Sequence, residues 1–346
     1  MNLYKSLIFI LYLGIFLGSG FRTPAQSRDS ITLYGTLDTV QVIRQRIQHA
    51  NEANAGARVT HISPAILQAN KTRSLAELLT DHTSIYIKSL GTGALSTASF
   101  RGTSASQTRV NWNGINITPP LSGTFDFSQI PVFFTDNINL YYGSSHVKNG
   151  TGAIGGSVNL FTDTDWNRGV NGRVLAEYGS YNTYTVGGQA NISGNKSASK
   201  TRLYYQHSDN DYTYLNKVLT NIPFREKRQD AAYSQFGIMQ EGYFRVSPYT
   251  RLTAVAWYQK NHRNLPQPLG VVNRSQEDQE ENNFRGYAGL DFSRGIHELH
   301  VKAAWLYFCQ TYDIRYDGGL FDPKGNKNRS NTAQVVADYT YSPTDK

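Results

Sequence analysis

The sequence is poor in cysteine: it has one, Cys309, in 346 residues. A lone thiol permits no internal disulfide, so packing and hydrogen bonding must hold the fold together. Cys309 stands in an alternating, strand-like run and reads as a small apolar side chain, not a nucleophile. Long apolar runs are also missing. Leu7–Leu17 falls short of the roughly 20 residues that a membrane-crossing helix needs, and no later segment is apolar enough. Clusters of basic charge are absent too. The net charge is +8 and there are 23 Tyr, yet Lys and Arg are scattered singly, which argues against a nucleic-acid surface. No nucleophile–base pair occurs at a recognisable spacing, so no catalytic residue is assigned. His297-Glu298-Leu299-His300 lacks the i, i+4 spacing of a helical zinc protease, and on a strand its two histidines face opposite ways.

What is present begins with an export signal. Lys5 supplies a positive start, Leu7–Leu17 a short apolar core, and Thr23-Pro24-Ala25 a small-residue cleavage site. Residues 1–25 therefore read as a secretory signal peptide, with an uncleaved helical anchor as the alternative. A polar extension, 26–57, follows. From 58 to 162 the pattern is that of a mixed α+β globule. Ser63-Pro64 marks a helix start with proline at its first position, and Ser74 with Glu77 forms a capping box opening Leu75–Leu79. Short strands are expected at Ser84–Lys88, Arg109–Trp112, Ile115–Ile117 and Asn137–Tyr142, with Asn113-Gly114 as a two-residue hairpin turn.

After Asp165 the period switches to two, and 168–346 reads as a run of antiparallel strands. Val174, Ala176 and Tyr178 share one face against Arg173 and Glu177; Phe284, Ala288, Leu290 and Phe292 oppose Asn283, Arg285 and Asp291. Ala333, Val335, Ala337, Tyr339 and Tyr341 oppose Thr332, Gln334, Asp338 and Thr340. Polar-in, apolar-out alternation with aromatics near strand ends suits a transmembrane barrel, as does 12% aromatic content at a mean hydropathy of −0.47. The stretches 200–208, 232–246, 251–260 and 298–309 fit less cleanly: Gln240 falls among apolar neighbours, and the faces of 251–260 are mixed. Connections alternate short (193–199, 247–250, 294–295) and long (209–231, 261–282, 313–330), with 179–182 a short exception on the long side. Barrels of the outer membrane segregate short periplasmic turns from longer outer loops; a soluble sandwich, the competing reading, has no reason to.

Several motifs occur in order along the globule. They are Ser74–Leu79, Phe100-Arg101-Gly102-Thr103, Val110-Asn111-Trp112-Asn113-Gly114, Ile130-Pro131, Ile138–Ser144 and Gly152-Ala153-Ile154-Gly155-Gly156-Ser157-Val158-Asn159-Leu160. Together they resemble the plug domain of TonB-dependent outer-membrane receptors. The spacing looks most like cobalamin-type members, with ferric siderophore receptors next. Upstream, the short β-branched segment Asp38, Thr39, Val40, Gln41, Val42, Ile43 then looks like the TonB box, a strand that adds to a partner's sheet edge. The resemblance implies an α+β plug inside a barrel of about 22 strands, of which about eight lie in this chain. It implies uptake of a scarce, bulky solute, a cobalamin or other metal chelate, driven by the TonB complex. The plug-motif residues are Arg101, Gly102, Asn113, Gly114, Gly143, Gly152, Gly155, Gly156 and Asn159. The family has Gly-Pro where Gly143-Ser144 stands and Tyr-Gly where Asn149-Gly150 stands, and neither change removes a glycine that the backbone needs.

Two weaker patterns are read alongside. Gly150–Gly155 matches G-x-G-x-x-G, but a strand follows it and Asp163 and Asp165 come too early for a dinucleotide fold. Asp209 and Asp211, in a long outer loop, offer oxygen ligands for calcium, against the plainer reading of a solvated loop. Eight strands cannot close around a globule of about 35 Å diameter, and an open sheet would present unpaired edges to lipid. The expectation is therefore that further strands lie on other sequence or that this chain does not insert, with no heat-modifiable gel mobility for 26–346. Other readings are a receptor acting as a lid with a surface lipoprotein, a signalling receptor, a passive porin and a barrel lipase.

Overall fold

The computed structural model describes residues 58–143, 153–218, 222–269, 275–316 and 324–343. The expected signal peptide, the polar extension and the segment Asp38–Ile43 lie outside the described residues, as does Gly152.

The globule opens with β1 (Arg58–His61), α1 (Pro64–Ala69) and α2 (Leu75–His82). Both helices start where the sequence provides caps. Ser63 Oγ accepts from the Ile66 N–H at 3.3 Å ahead of Pro64. Ser74 and Glu77 close a reciprocal capping box, Glu77 taking the Ser74 N–H at 2.8 Å. Next come β2 (Tyr86–Ser89), β3 (Ser96–Ser99), β4 (Thr108–Trp112), β5 (Ile115–Asn116), β6 (Asn137–Tyr142) and β7 (Gly156–Phe161). Four of them join β1 in a five-stranded sheet of order β1-β6-β7-β4-β5, with β4 and β7 parallel. Asn113 and Gly114 have φ of 51° and 84°, the pair of positive angles that lets a two-residue turn follow strand twist. The first expected strand is displaced to Tyr86–Ser89, and its hairpin partner β3 was not foreseen, because Ser96–Ser99 has no apolar alternation to reveal it.

The second unit of structure is an antiparallel meander: β8 (Gly169–Gly179), β9 (Thr183–Ser193), β10 (Ser197–Ser208), β13 (Tyr233–Ser247), β14 (Thr250–Asn264), β15 (Ser275–Arg294), β16 (His297–Tyr316) and β17 (Lys324–Tyr341). A separate hairpin, β11 (Thr213–Asn216) with β12 (Phe224–Lys227), rises from the loop after β10. The eight strands pair in chain order, leaving β8 and β17 as edges among the described residues. Turns at 194–196, 248–249 and 295–296 sit at one end and the longer connections at the other, as the loop lengths implied. No described helix is long and apolar enough to cross a membrane; the strands are the spanning candidates.

The outward face carries the lipid-type pattern. Val170, Val174, Tyr178, Val186 and Ile192 are exposed on β8 and β9, and Leu203, Ile238 and Phe244 on β10 and β13. The pairing register lines up aromatics across the sheet: Tyr178 opposite Tyr184, Tyr205 opposite Phe236, Tyr258 opposite Phe284, and Phe284 opposite Tyr307. Phe244, Phe292, Tyr339 and Tyr341 lie toward the short-turn end. At about 3.4 Å per residue and a tilt of about 40°, the stretch between the two aromatic rows spans about 20 Å, close to the height of an outer-membrane apolar band. Gln240 does point outward, but its carboxamide is satisfied in place, accepting from Thr201 Oγ1 at 2.6 Å and donating to Ser199 Oγ at 2.9 Å.

The inward face is not uniformly polar, which corrects the simple alternation. Tyr204, Met239, Val255, Trp257 and Tyr287 join the globule's core of Leu75, Leu79, Trp112, Phe133, Phe134 and Leu160. Trp257 meets Trp112 at 5.4 Å and Phe134 at 5.3 Å between ring centroids. The faces of 251–260 looked mixed because Val255 and Trp257 face another apolar surface, not water. Core and sheet fold onto each other.

Candidate functional site

The functional feature is the contact between the globule and the inner face of the sheet, hereafter the wall. Alternation places Lys200, Arg202 and Tyr204 on one face of β10, and Gln235, Met239 and Glu241 on the same face of β13. Around the apolar centre these side chains reach the globule's backbone. Arg202 Nη1 donates to Phe133 O at 3.1 Å, Tyr204 Oη to Thr72 O at 3.1 Å, and Gln235 Nε2 to Ser128 O at 2.9 Å. Gln259 donates to Gln129 O, and Lys302 Nζ to Asn113 O at 2.5 Å. Gln334 clasps one residue in both directions, accepting from Asn116 N at 3.2 Å and donating to its O at 2.7 Å.

Charge concentrates at two points. Toward the short-turn end, Asp136 accepts from Arg202 and, at 3.0 Å, from Lys200 Nζ, as well as from the Asp163 N–H at 2.9 Å. Arg202 is fully buried and also lies 3.4 Å from Glu241, which accepts from Tyr243 Oη at 2.5 Å. Burial alone would raise the Asp136 carboxyl; Arg202, Lys200 and the Asp163 amide override it and hold the group at about 2. Nearby Lys71, buried and donating to Thr135 O at 2.5 Å, is pushed down to about 8 by burial, with Asp136 opposing and Arg202 adding to the shift. Toward the long-loop end, Asp126 accepts from Arg263 Nη1 at 2.7 Å, and Asn210 Nδ2 donates to Thr92 O at 3.0 Å. The wall is tied to the globule along its height.

The plug-motif residues fall inside the globule and shape its backbone. Arg101 and Gly102 form a turn with φ of 49° and 78°, and the Arg101 guanidinium lies 5.9 Å from the Tyr142 ring. Gly143 donates its N–H to Gly155 O at 2.9 Å. At Gly156 an added Cβ would lie 2.5 Å from Tyr141 O and 2.7 Å from the Phe100 ring, a close approach that only glycine permits. Asn159 accepts from Asn111 Nδ2 at 2.9 Å and donates to Ser157 Oγ at 3.0 Å within the sheet. The glycine run is followed by β7, not by a helix.

Asp209 and Asp211, the residues offered for calcium, are each engaged by other side chains. Asp209 accepts from Asn182 Nδ2 at 3.1 Å and pairs with His207 at 3.0 Å, and these bonds lower its carboxyl from the usual range. Asp211 pairs with Lys227 at 2.7 Å, and no group of three His, Cys, Asp or Glu able to hold a metal occurs among the described residues. The residues that the sequence reading missed are Asp126, Asp136, Lys200, Arg202, Glu241, Arg263 and Gln334. Inward position on an alternating strand was the available signal for the wall members; nothing local marks the two aspartates.

Comparison with known proteins fits this arrangement. The profile of the TonB-dependent Receptor Plug Domain matches residues 51–157. The Vitamin B12 transporter BtuB of Photobacterium profundum is 32% identical over 135 residues, 39% of this chain and 22% of its own length. BtuB of Vibrio cholerae O395 is 32% identical over 126 residues, 36% of this chain and 20% of its own. The matched part is thus about a fifth of these curated relatives. Among solved structures, the FrpB iron transporter of Neisseria meningitidis superposes with a TM-score of 0.66 at 12% identity, covering 84% of this chain and 47% of that one. The ferric-catecholate import receptor Fiu of E. coli K12 gives 0.63 at 12% identity, again covering 84% and 47%. Residues 51–157 are thus a plug domain of the TonB-dependent receptor type, held against an antiparallel wall whose fold matches part of the chains of such receptors.

Proposed function

We propose that the chain forms the plug and one side of the barrel of a transporter in the cell outer membrane, taking up a scarce, bulky solute of the cobalamin or ferric-chelate kind. The observation carrying this reading is the contact itself: a globule that shares an apolar centre with the sheet and is held around it by polar, largely side-chain-to-backbone hydrogen bonds, the sheet's other face being apolar and aromatic-ringed. Such bonds exchange for water at small net cost, so a pull on the plug can remodel it without exposing the whole core. The relatives named for vitamin B12 and the fold neighbours named for iron chelates support the solute class.

In this reading residues 1–25 export the chain, and solute binds on the long-loop side. The TonB complex pairs with Asp38–Ile43 as an added strand and draws on the plug from the periplasm. Val42→Pro removes an N–H that such pairing needs. In a full-length receptor carrying this region, that variant is expected to lose uptake while retaining solute binding at the surface. Growth rescue on single candidate solutes, cyanocobalamin against ferric siderophores, identifies the cargo. Undiminished uptake by the proline variant refutes the coupling role.

A further inference from the structure

A cavity of about 80 Å³ lies between the plug loop at Asn116–Pro120 and the inner face of β15, β16 and β17. Its apolar lining is Ile117, Pro119, Pro120, Leu306 and Phe308. Its polar lining includes Arg285, Asn283, Ser330 and Thr332. Arg285 is buried, and among the described residues it meets one neutral acceptor, Gln259 Oε1 at 3.0 Å from Nη1, and the Trp257 ring, 4.4 Å from the guanidinium carbon. No carboxylate among the described residues forms an ion pair with it. Glu281, the acid whose charge reaches it, is engaged by Gln279 Nε2 at 2.6 Å and Gln310 Nε2 at 2.9 Å. Asn283 is 3% exposed and makes no side-chain hydrogen bond among the described residues. Ser330 and Thr332 bring hydroxyls to the same space.

A buried guanidinium without a counter-ion is costly, because nothing replaces the water removed from its charge. A cavity that pairs it with a free carboxamide and hydroxyls, and holds no acid, has the chemistry of a small oxyanion site. The cavity has room for several waters, and hence for a phosphate or carboxylate group. We propose that this cavity binds an oxyanion, phosphate or carboxylate, with Arg285 as its cation and Asn283, Ser330 and Thr332 as its hydrogen-bonding groups. The anion is either a free inorganic ion or an acidic group on a larger solute passing between plug and wall. The site stands on this chain's own residues and does not depend on the transport reading.

The test uses the whole chain in detergent with inorganic phosphate as the probe. Equilibrium dialysis with radiolabelled phosphate is expected to show saturable binding at one per chain, accompanied by a change in Trp257 emission that Trp257→Phe removes. Asn283→Asp installs an acid beside Arg285 with almost no change of shape; it is expected to weaken phosphate binding at least tenfold while the far-ultraviolet spectrum is unchanged. Arg285→Gln is expected to do the same and Arg285→Lys to restore part of the affinity. Citrate distinguishes the sources: stronger competition than by equal phosphate marks a carboxylate-bearing solute, and weaker competition marks the free ion. No saturable binding up to about 10 mM phosphate, a level corresponding to less than 3 kcal/mol of affinity, overturns the proposal. So does full binding by Asn283→Asp.

Discussion

Replacing Asp136 by Asn should loosen the plug from the wall, and the structure sets the size of the effect. The carboxylate takes charge-assisted bonds from Arg202 and Lys200, and its side chain keeps 24% exposure while that of Arg202 keeps none. Its pKa is held at about 2 against an ordinary 3.8, a difference that corresponds to about 2.5 kcal/mol of stability at neutral pH. Breaking a buried pair from one side costs about 3–5 kcal/mol, because the surviving cation is left without its partner; the remaining exposure of Asp136 favours the lower end. About 3 kcal/mol is therefore expected. With a urea dependence of about 3 kcal/mol/M, the unfolding midpoint in detergent should fall by about 1 M. The sign with pH is fixed as well. A depressed carboxyl contributes in full above its unfolded value and loses that contribution as pH falls through its folded one. The wild-type and Asp136→Asn midpoints should therefore converge between pH 3.8 and about 2. Adding Arg202→Met to Asp136→Asn should recover part of the loss, since it removes the stranded charge. A midpoint difference below about 0.3 M at neutral pH, or one that persists unchanged in acid, refutes the reasoning.

Other groups in the plug and wall have consequences of the same kind. Lys71 has a folded pKa of about 8 against 10.5, so the unfolded chain holds its proton more tightly in that window. Stability should thus rise with pH by up to about 3 kcal/mol, and Lys71→Met should flatten the rise in urea titrations between pH 7 and 10.5. Gly156→Ala drives a Cβ against Tyr141 O and the Phe100 ring and should destabilise the plug by about 2–4 kcal/mol, read as earlier proteolysis of the globule. Val174→Arg, midway along the outward face of β8, should cost about 2–4 kcal/mol in lipid vesicles and little in a water-facing sandwich, which separates the two readings of the alternation.

How much of this was legible follows from how far apart in sequence the causes lie. The strands of the wall were readable wherever one face meets lipid, because each short stretch then repeats the signal. The long-loop end of β15 escaped: Gln276–Asn283 is polar on both faces, so alternation vanishes although pairing with β14 and β16 continues. The β11–β12 hairpin hid in a loop because strands of four residues are too short to repeat an alternation. In the plug, the caps at Ser63 and Ser74 and the Asn113-Gly114 turn were explicit because each is decided within four residues. The wall's grip was not. Lys200 and Asp136 are separated by 64 positions and Gln334 and Asn116 by 218, and no local pattern records such a meeting.

The wall addresses the plug mostly through main-chain carbonyls: those of Thr72, Asn113, Asn116, Ser128, Gln129 and Phe133. A carbonyl is the same whatever residue bears it. Plug side chains at those positions can therefore change without unfastening the cork, provided the path of the backbone is kept. The fastening constrains shape and leaves much of the alphabet free.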